Sequence, residues 1–143
     1  MKLKIKLLTK SAKMPTYATA GSAAMDLYAS EDVRVENGSV CLVPTGLAFE
    51  IPEGFVGLIV PRSGLSLKTP LRQPNCVGVI DSDYRGEVRG MFEVNSCSCA
   101  TIPAGTRFAQ MLIVPVWRFE MVQADELSTT YRGEGGFGST GVK

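Results

Sequence analysis

Turn-forming residues cut this chain into short apolar runs, and that single feature leaves little room for helix. The breaks recur at intervals of roughly eight to twelve residues, the spacing of an all-β sandwich or barrel. Residues 2–8 alternate Leu3, Ile5 and Leu7 with Lys2, Lys4 and Lys6, the period-2 pattern of a half-buried strand. Residues 33–35 and 40–43 flank Asn37-Gly38, a hairpin signal, and residues 47–51 and 55–60 flank the turn Pro52-Glu53-Gly54. Residues 88–94, 100–102 and 108–116 supply further strands, the last an almost continuous apolar run that belongs in the core. Residues 117–127 read as one more strand and a bend, with Trp117 in the core. Only residues 65–68 have room for a short helical turn, which Pro70 stops. A jelly roll fits these strands best, and 143 residues make one domain large enough to bury its own core.

Charge and composition add exclusions. Lys and Arg number 15 against 14 Asp and Glu, a net charge of +1, which argues against a general nucleic-acid or membrane surface. The N-terminus lacks a signal-peptide core and no run is long enough to cross a bilayer, so a cytoplasmic protein is expected. Cys97 and Cys99 stand at a C-x-C spacing that would share one face of a strand, whereas zinc sites usually take a wider pair with a second pair or histidines. Together with Cys41 and Cys76 they are expected as free thiols in a reducing compartment.

The polar residues that fit no ladder concentrate in a few stretches. Gly78-Val79-Ile80-Asp81-Ser82-Asp83-Tyr84-Arg85-Gly86-Glu87-Val88 reads as two short strands joined by a tight turn. On an extended strand Asp81 and Asp83 leave the same face. The chain has no histidine, so a general base near neutral pH must come from the carboxylates, Lys, Tyr or Cys, and Asp81 stands where a strand gives way to a turn. Solvated turn aspartates are the plainer reading of the same residues. Asn75 can present a donor and an acceptor to a base edge, or close an Asx turn after Pro74. Asp26 lies among apolar neighbours and must be solvated or hydrogen-bonded. Pro61-Arg62-Ser63-Gly64 offers a charge, a hydroxyl and open N–H groups at a helix start, a set that favours phosphate. Gln110 interrupts the apolar run 108–116 and needs partners. Finally, residues 132–141 hold five glycines, Arg132, Phe137 and the pair Ser139-Thr140, the composition of either a frayed tail or a lid.

Five stretches in this order resemble the five motifs of the homotrimeric dUTP nucleotidohydrolases, the dUTPases. They are Ala20-Gly21-Ser22-Ala23-Ala24-Met25-Asp26-Leu27, Pro61-Arg62-Ser63-Gly64-Leu65, residues 78–88 as quoted above, Gly105-Thr106-Arg107-Phe108-Ala109-Gln110 and Arg132-Gly133-Glu134-Gly135-Gly136-Phe137-Gly138-Ser139-Thr140-Gly141. The likeness departs from the family at Thr106, where aspartate is usual. It implies a distorted jelly roll over residues 1–127, and a flexible arm over 128–143 that closes on a neighbouring subunit's site.

The same resemblance implies hydrolysis of dUTP to dUMP and pyrophosphate, with Asp81 as base. Uracil is implied to meet main-chain groups of Gly78, Val79 and Ile80 within a hairpin reaching to Arg89, with Asn75 completing the edge. Tyr84 is implied to lie under the deoxyribose. Arg62, Ser63, Gly64 and Gln110 are implied to hold phosphates, and Arg132, Phe137, Gly138, Ser139 and Thr140 to form the lid. Mg²⁺ is implied as cofactor, carried mainly by the triphosphate, with Asp26 touching it through water. The partners implied are dUTP or dUMP and two further copies of the chain, with no nucleic acid and no membrane. Two other uses of such a fold stand beside this one: deamination of dCTP, which in related enzymes goes with a glutamate near the hairpin, and a regulatory binding protein without turnover.

Overall fold

A computed structural model describes residues 1–95, 99–139 and 141. Eleven strands and one short helix follow in the order β1 (Lys4–Leu7), β2 (Met25–Tyr28), β3 (Val33–Val35), β4 (Cys41–Pro44), β5 (Leu47–Glu50), β6 (Phe55–Pro61), α1 (Ser63–Lys68), β7 (Leu71–Arg72), β8 (Gly78–Ile80), β9 (Arg89–Val94), β10 (Ala100–Ile102) and β11 (Arg107–Pro115). The fold is all-β and jelly-roll-like, as the turn spacing predicts. Antiparallel ladders join β1 to β5 and β3 to β10, and two larger sheets run in the orders β2-β11-β6-β8 and β4-β9-β7.

The core lies between these sheets. Phe92 from β9 meets Phe108 from β11 edge to face, with ring centroids 5.6 Å apart, and Leu27, Phe49, Ile59 and Met111 are buried around them. In β11 only the first half of the apolar run is interior, with Phe108, Ala109 and Met111 buried, while Leu112, Ile113 and Val114 are half-buried and Pro115 and Val116 exposed. In β1 the alternation survives as an exposed pair, Lys4 Nζ to Glu50 Oε1 at 2.7 Å, directly across the ladder. That ammonium holds the Glu50 carboxyl below its usual range.

Three expectations need correction. First, residues 33–35 and 40–43 reverse direction around Gly38, whose φ is 74°, yet they do not form a hairpin: β3 pairs with β10 and β4 with β9. A turn fixes only the reversal, and the link of residues 36–40 is long enough for each strand to find its own partner and bury its own valine, Val35 or Val43. Second, the arms of the 78–88 stretch separate in the same way, because β8 pairs with β6 while β9 runs between β4 and β7. Third, residues 117–127 contain no strand, and Trp117 is 86% exposed rather than core. The alternation Trp117, Phe119, Met121 has strand period, but beyond the bond from Val116 N–H to Gly54 O, at 2.9 Å, the segment meets no sheet edge among the described residues.

A polar turn ties these sheets together behind the 81–87 loop. Buried Thr45 donates through Oγ1 to Val88 O at 2.6 Å and accepts from Leu47 N–H at 3.1 Å. Gly46 N–H donates to Glu87 Oε1 at 2.8 Å, and Leu8 N–H donates to Gly46 O at 2.7 Å. Gly46 has φ +68°, and a Cβ there would come within 2.6 Å of Thr9 Oγ1 and 2.8 Å of Ala12 Cβ. Backbone strain and overpacking therefore act together. Gly46→Ala is expected to lower unfolding free energy by about 2–4 kcal/mol, read as a lower denaturation midpoint at unchanged slope.

Candidate functional site

Two polar centres are built at opposite ends of β6. The first lies at β8, which among the described residues pairs with β6 on one side and has no strand on its other main-chain edge. A Cβ on Gly78 would press on the Ile59 side chain across the ladder, at 3.3 Å from its Cβ. A Cβ on Gly78 would sit 3.7 Å from Asn75 Nδ2, so the Asn75 amide is beside the slot the edge creates. Val79 is 60% exposed along it. A cleft of about 360 Å³ follows, lined by Leu42, Val79, Ile80, Asp81, Tyr84, Glu87 and Arg89.

After Ile80 the chain turns, and Tyr84 N–H donates to Asp81 O at 3.2 Å. Asp81 and Asp83 thus belong to a turn, not to an extended strand. The Tyr84 ring lies over Gly86, where any Cβ would collide with it, and Tyr84 Oη donates to Glu87 O at 3.1 Å. Glu87 fixes the back wall by accepting from Gly46 N–H and from Arg89 Nε, the latter at 2.7 Å. Asp81 borders a second cleft as well, of about 660 Å³, with Ser82, Asp83, Arg85, Val56 and Arg118 among its walls. One carboxylate therefore faces both an apolar-walled slot and a polar, water-accessible cleft.

The second centre rests on Asp26. The β2–β11 register sets Asp26 opposite Gln110, and Gln110 opposite Val60 of β6. Asp26 is 5% exposed, and its Oδ1 forms an ion pair with Arg62 Nε at 2.8 Å while Oδ2 accepts from Arg107 Nη1 at 3.1 Å. Arg62 Nη1 also donates to Arg107 O at 3.4 Å. The two guanidinium groups remain partly exposed, so a single buried carboxylate holds two cations toward solvent. Ser63 and Gly64 follow as the first residues of α1, where N–H groups have no acceptor within the helix. Such a set suits an anion with several oxygens. Both Asp26 oxygens lie against arginine, which makes ion pairing its role within this chain.

A single chain does not bring the two centres together. Extending the β6–β8 register past Ile80 and Gly57 puts Asp81 opposite Val56, six residues from Arg62 along β6. At the rise of a strand that separates them by roughly 20 Å. In the C-terminal arm, Arg132, Phe137, Gly138 and Ser139 are exposed, and the described hydrogen bonds of residues 130–141 stay within that stretch. Thr140 and Cys97 lie outside the described residues. Cys41, Cys76 and Cys99 are free thiols, as expected.

Three participants carried no clear sequence signal. Arg107 precedes the apolar run, Glu87 follows the turn glycine Gly86, and Gln73 is buried between Arg72 and Pro74. Only the cross-strand register reveals Arg107.

A bare strand edge beside an amide, a carboxylate at its end and a supported arginine pair define a nucleotide-binding β protein. The chain belongs to the dUTPase family, whose model matches residues 10–141. It is 48% identical over 144 residues to the deoxyuridine 5'-triphosphate nucleotidohydrolase of Hydrogenobaculum sp. strain Y04AAS1, covering all of both chains. It is 47% identical over 141 residues to that of Nautilia profundicola, covering 99% of each. Among solved structures, a variant of the Staphylococcus bacteriophage 80alpha dUTPase with dUpNHpp superposes with a TM-score of 0.90 at 32% identity, covering 99% of both chains. A variant of the phage phi11 dUTPase, described with a structural Mg(II) ion, superposes with a TM-score of 0.82 at 29% identity, covering 88% of this chain and 98% of that one.

Asp26→Asn leaves two arginines without their shared counter-charge. Because both reach solvent, the loss is expected to be about 1–3 kcal/mol, below that of a fully buried pair, as measured by chemical denaturation.

Proposed function

We propose that this protein hydrolyses dUTP to dUMP and pyrophosphate, at sites assembled from more than one copy of the chain. The observation that carries the reading is the position of Asp81, at the end of the β8 slot and open to a second cleft. Uracil lies against the free edge of β8, where main-chain groups of Gly78, Val79 and Ile80 and the Asn75 amide supply donors and acceptors. The slot leaves no room for thymine's methyl, and cytosine carries the wrong donor pattern. Tyr84, braced on Gly86 and Glu87, lies under the deoxyribose and excludes a 2′-hydroxyl. Arg89, held by Glu87, closes the wall.

Asp81 orients a water and takes one of its protons as the water oxygen bonds to the α-phosphorus. The bond from that phosphorus to the bridging oxygen breaks on the far side, and pyrophosphate leaves with the electron pair. Arg62, Ser63, Gly64 and Gln110 hold phosphate oxygens, with Asp26 and Arg107 keeping Arg62 in place. The arm supplies Arg132, Ser139 and Thr140 to the phosphates and Phe137 to cover the base.

Among the described residues no cluster of three or more His, Cys, Asp and Glu side chains offers a metal cage, and Asp26 is taken by arginine. The protein's own residues therefore do not fit a resident metal, and Mg²⁺ belongs to the substrate, as the magnesium complex of dUTP. Bound there, the ion would supply Lewis-acid stabilisation of phosphate charge.

The shared site follows from the separation of about 20 Å between Asp81 and Arg62 along β6, a span too long for one triphosphate to bridge from the α-phosphorus. The apolar side chains of Trp117, Phe119, Met121, Val122 and Leu127, exposed in a single chain, supply surface for other copies. A homotrimer is the assembly proposed.

Pyrophosphate release across dUTP, dCTP, dTTP and UTP is expected with dUTP alone. Asp81→Asn should lower kcat by at least about 100-fold with little change in KM; turnover of dCTP with release of ammonia would refute the reading. For the shared site, Asp81→Asn and Arg62→Ala are combined by co-refolding. Mixed assemblies should regain a measurable fraction of wild-type turnover that neither variant shows by itself, whereas sites complete within one chain would regain none.

A further inference from the structure

We propose that Gln73 is a positioning residue for pyrimidine recognition, its buried carboxamide locking the turn that carries Asn75 onto the strand behind the base slot. The proposal rests on the dUTP reading and deepens it. Gln73 Nε2 donates to Ile59 O at 3.0 Å and to Cys76 O at 3.3 Å. Ile59 is the β6 residue paired with Gly78, so the first bond anchors the amide to the strand that sets the slot's register. The second bond, with the one from Cys76 N–H to Gln73 O at 3.0 Å, closes the four-residue turn Gln73-Pro74-Asn75-Cys76 from both sides. Cys76 carries a φ of 57°, a left-handed value that a non-glycine residue holds only when its surroundings impose it.

Asn75 depends on this support. It is exposed, and none of the described side-chain hydrogen bonds involves its amide. Its position beside Gly78 comes from the turn alone. The other half of the Gln73 amide points the same way: Oε1 is buried and has no partner among the described residues. An unpaired buried acceptor costs stability that the two N–H···O bonds offset, so glutamine adds direction at this position more than net stability. Its two N–H groups, aimed at a strand and at a turn, account for it as a clamp.

The test compares wild type, Gln73→Met and Gln73→Glu as intact oligomers. Methionine keeps the volume and removes both donors; glutamate turns an acceptor toward two carbonyls. In Q73M, KM for dUTP is expected to rise at least about tenfold with kcat within about twofold, the pattern of lost ground-state binding. The dUTP-over-dTTP ratio of kcat/KM should fall with it, while inhibition by inorganic pyrophosphate, which reads the phosphate end, stays unchanged. Q73E should be worse than Q73M in KM and equal to wild type in that inhibition. A folded Q73M with wild-type KM and selectivity overturns the proposal, as does a KM rise matched by an equal loss of pyrophosphate inhibition. Should Q73M not fold, Gln73→Asn, which keeps the amide but shortens its reach, is measured in its place; failure of both to fold assigns Gln73 to core stability and overturns the positioning role. If wild type does not turn over dUTP, the dUTP reading alone fails. Amide exchange at Cys76 and Gly78 then decides the clamp, faster exchange in Q73M supporting it and equal exchange overturning it.

Discussion

The pairing of β6 on both sides is the constraint on which the rest depends. Along one side it binds β11 over its whole length, from Phe55 opposite Pro115 to Pro61 opposite Ala109, and this seals the core strand. Along the other it holds only the three residues of β8. An unpaired strand edge is a hazard, because it invites any other extended chain to add to it. Here the edge is short, ends in a glycine at one side and an aspartate at the other, and turns sharply away. The features that protect it from another strand also leave its main-chain groups open beside a cleft of about 360 Å³.

What happens at the ends of β8 follows from where the chain must go next. β9 belongs to the other sheet, so residues 81–87 have to cross between sheets, and a crossing segment cannot satisfy its polar groups in a ladder. It satisfies them through side chains and turns instead. Tyr84 Oη reaches Glu87 O, Glu87 reaches back to Gly46 N–H, and Thr45 takes Val88 O. The loop is thereby as firmly held as a strand while its own carboxylate, Asp81, stays uncommitted. Asp26 makes the opposite case. It is buried and fully committed, and its charge is spent on keeping two arginines in a fixed, partly desolvated pose.

The sequence revealed the elements better than their partners. Strand positions were legible because alternation and turn residues are local, and β1, β5, β6 and β11 fall where the pattern placed them. Pairing is not local. Asn37-Gly38 and Gly86 signal reversals that do occur, yet both pairs of flanking strands diverge into different ladders, since burial of Val35, Val43 and Val88 outweighs the convenience of a hairpin. Trp117 misled for the same reason, its strand-like alternation having no edge among the described residues to join. In the site, residues with a motif around them, such as Asp81, Arg62 and Asn75, were legible from their neighbours. Gln73, Glu87 and Arg107 act through register and through bonds to main chain of distant elements, and nothing in the order of residues announces that.

The distance between the two centres is itself set by the core. β6 must be long enough to cover β11, and seven residues of strand put its ends about 20 Å apart. A shorter β6 would bring Arg62 closer to Asp81 but would uncover Met111 and Ile113, which pack against the core from β11. A chain of this size thus cannot hold base, reacting phosphorus and phosphate tail in one place without thinning its own interior. In the proposed assembly a second copy lends the phosphate centre, which removes the conflict and covers the exposed apolar side chains that follow Pro115. On that reading the length of strand that keeps the interior dry is also the length that divides the site between chains.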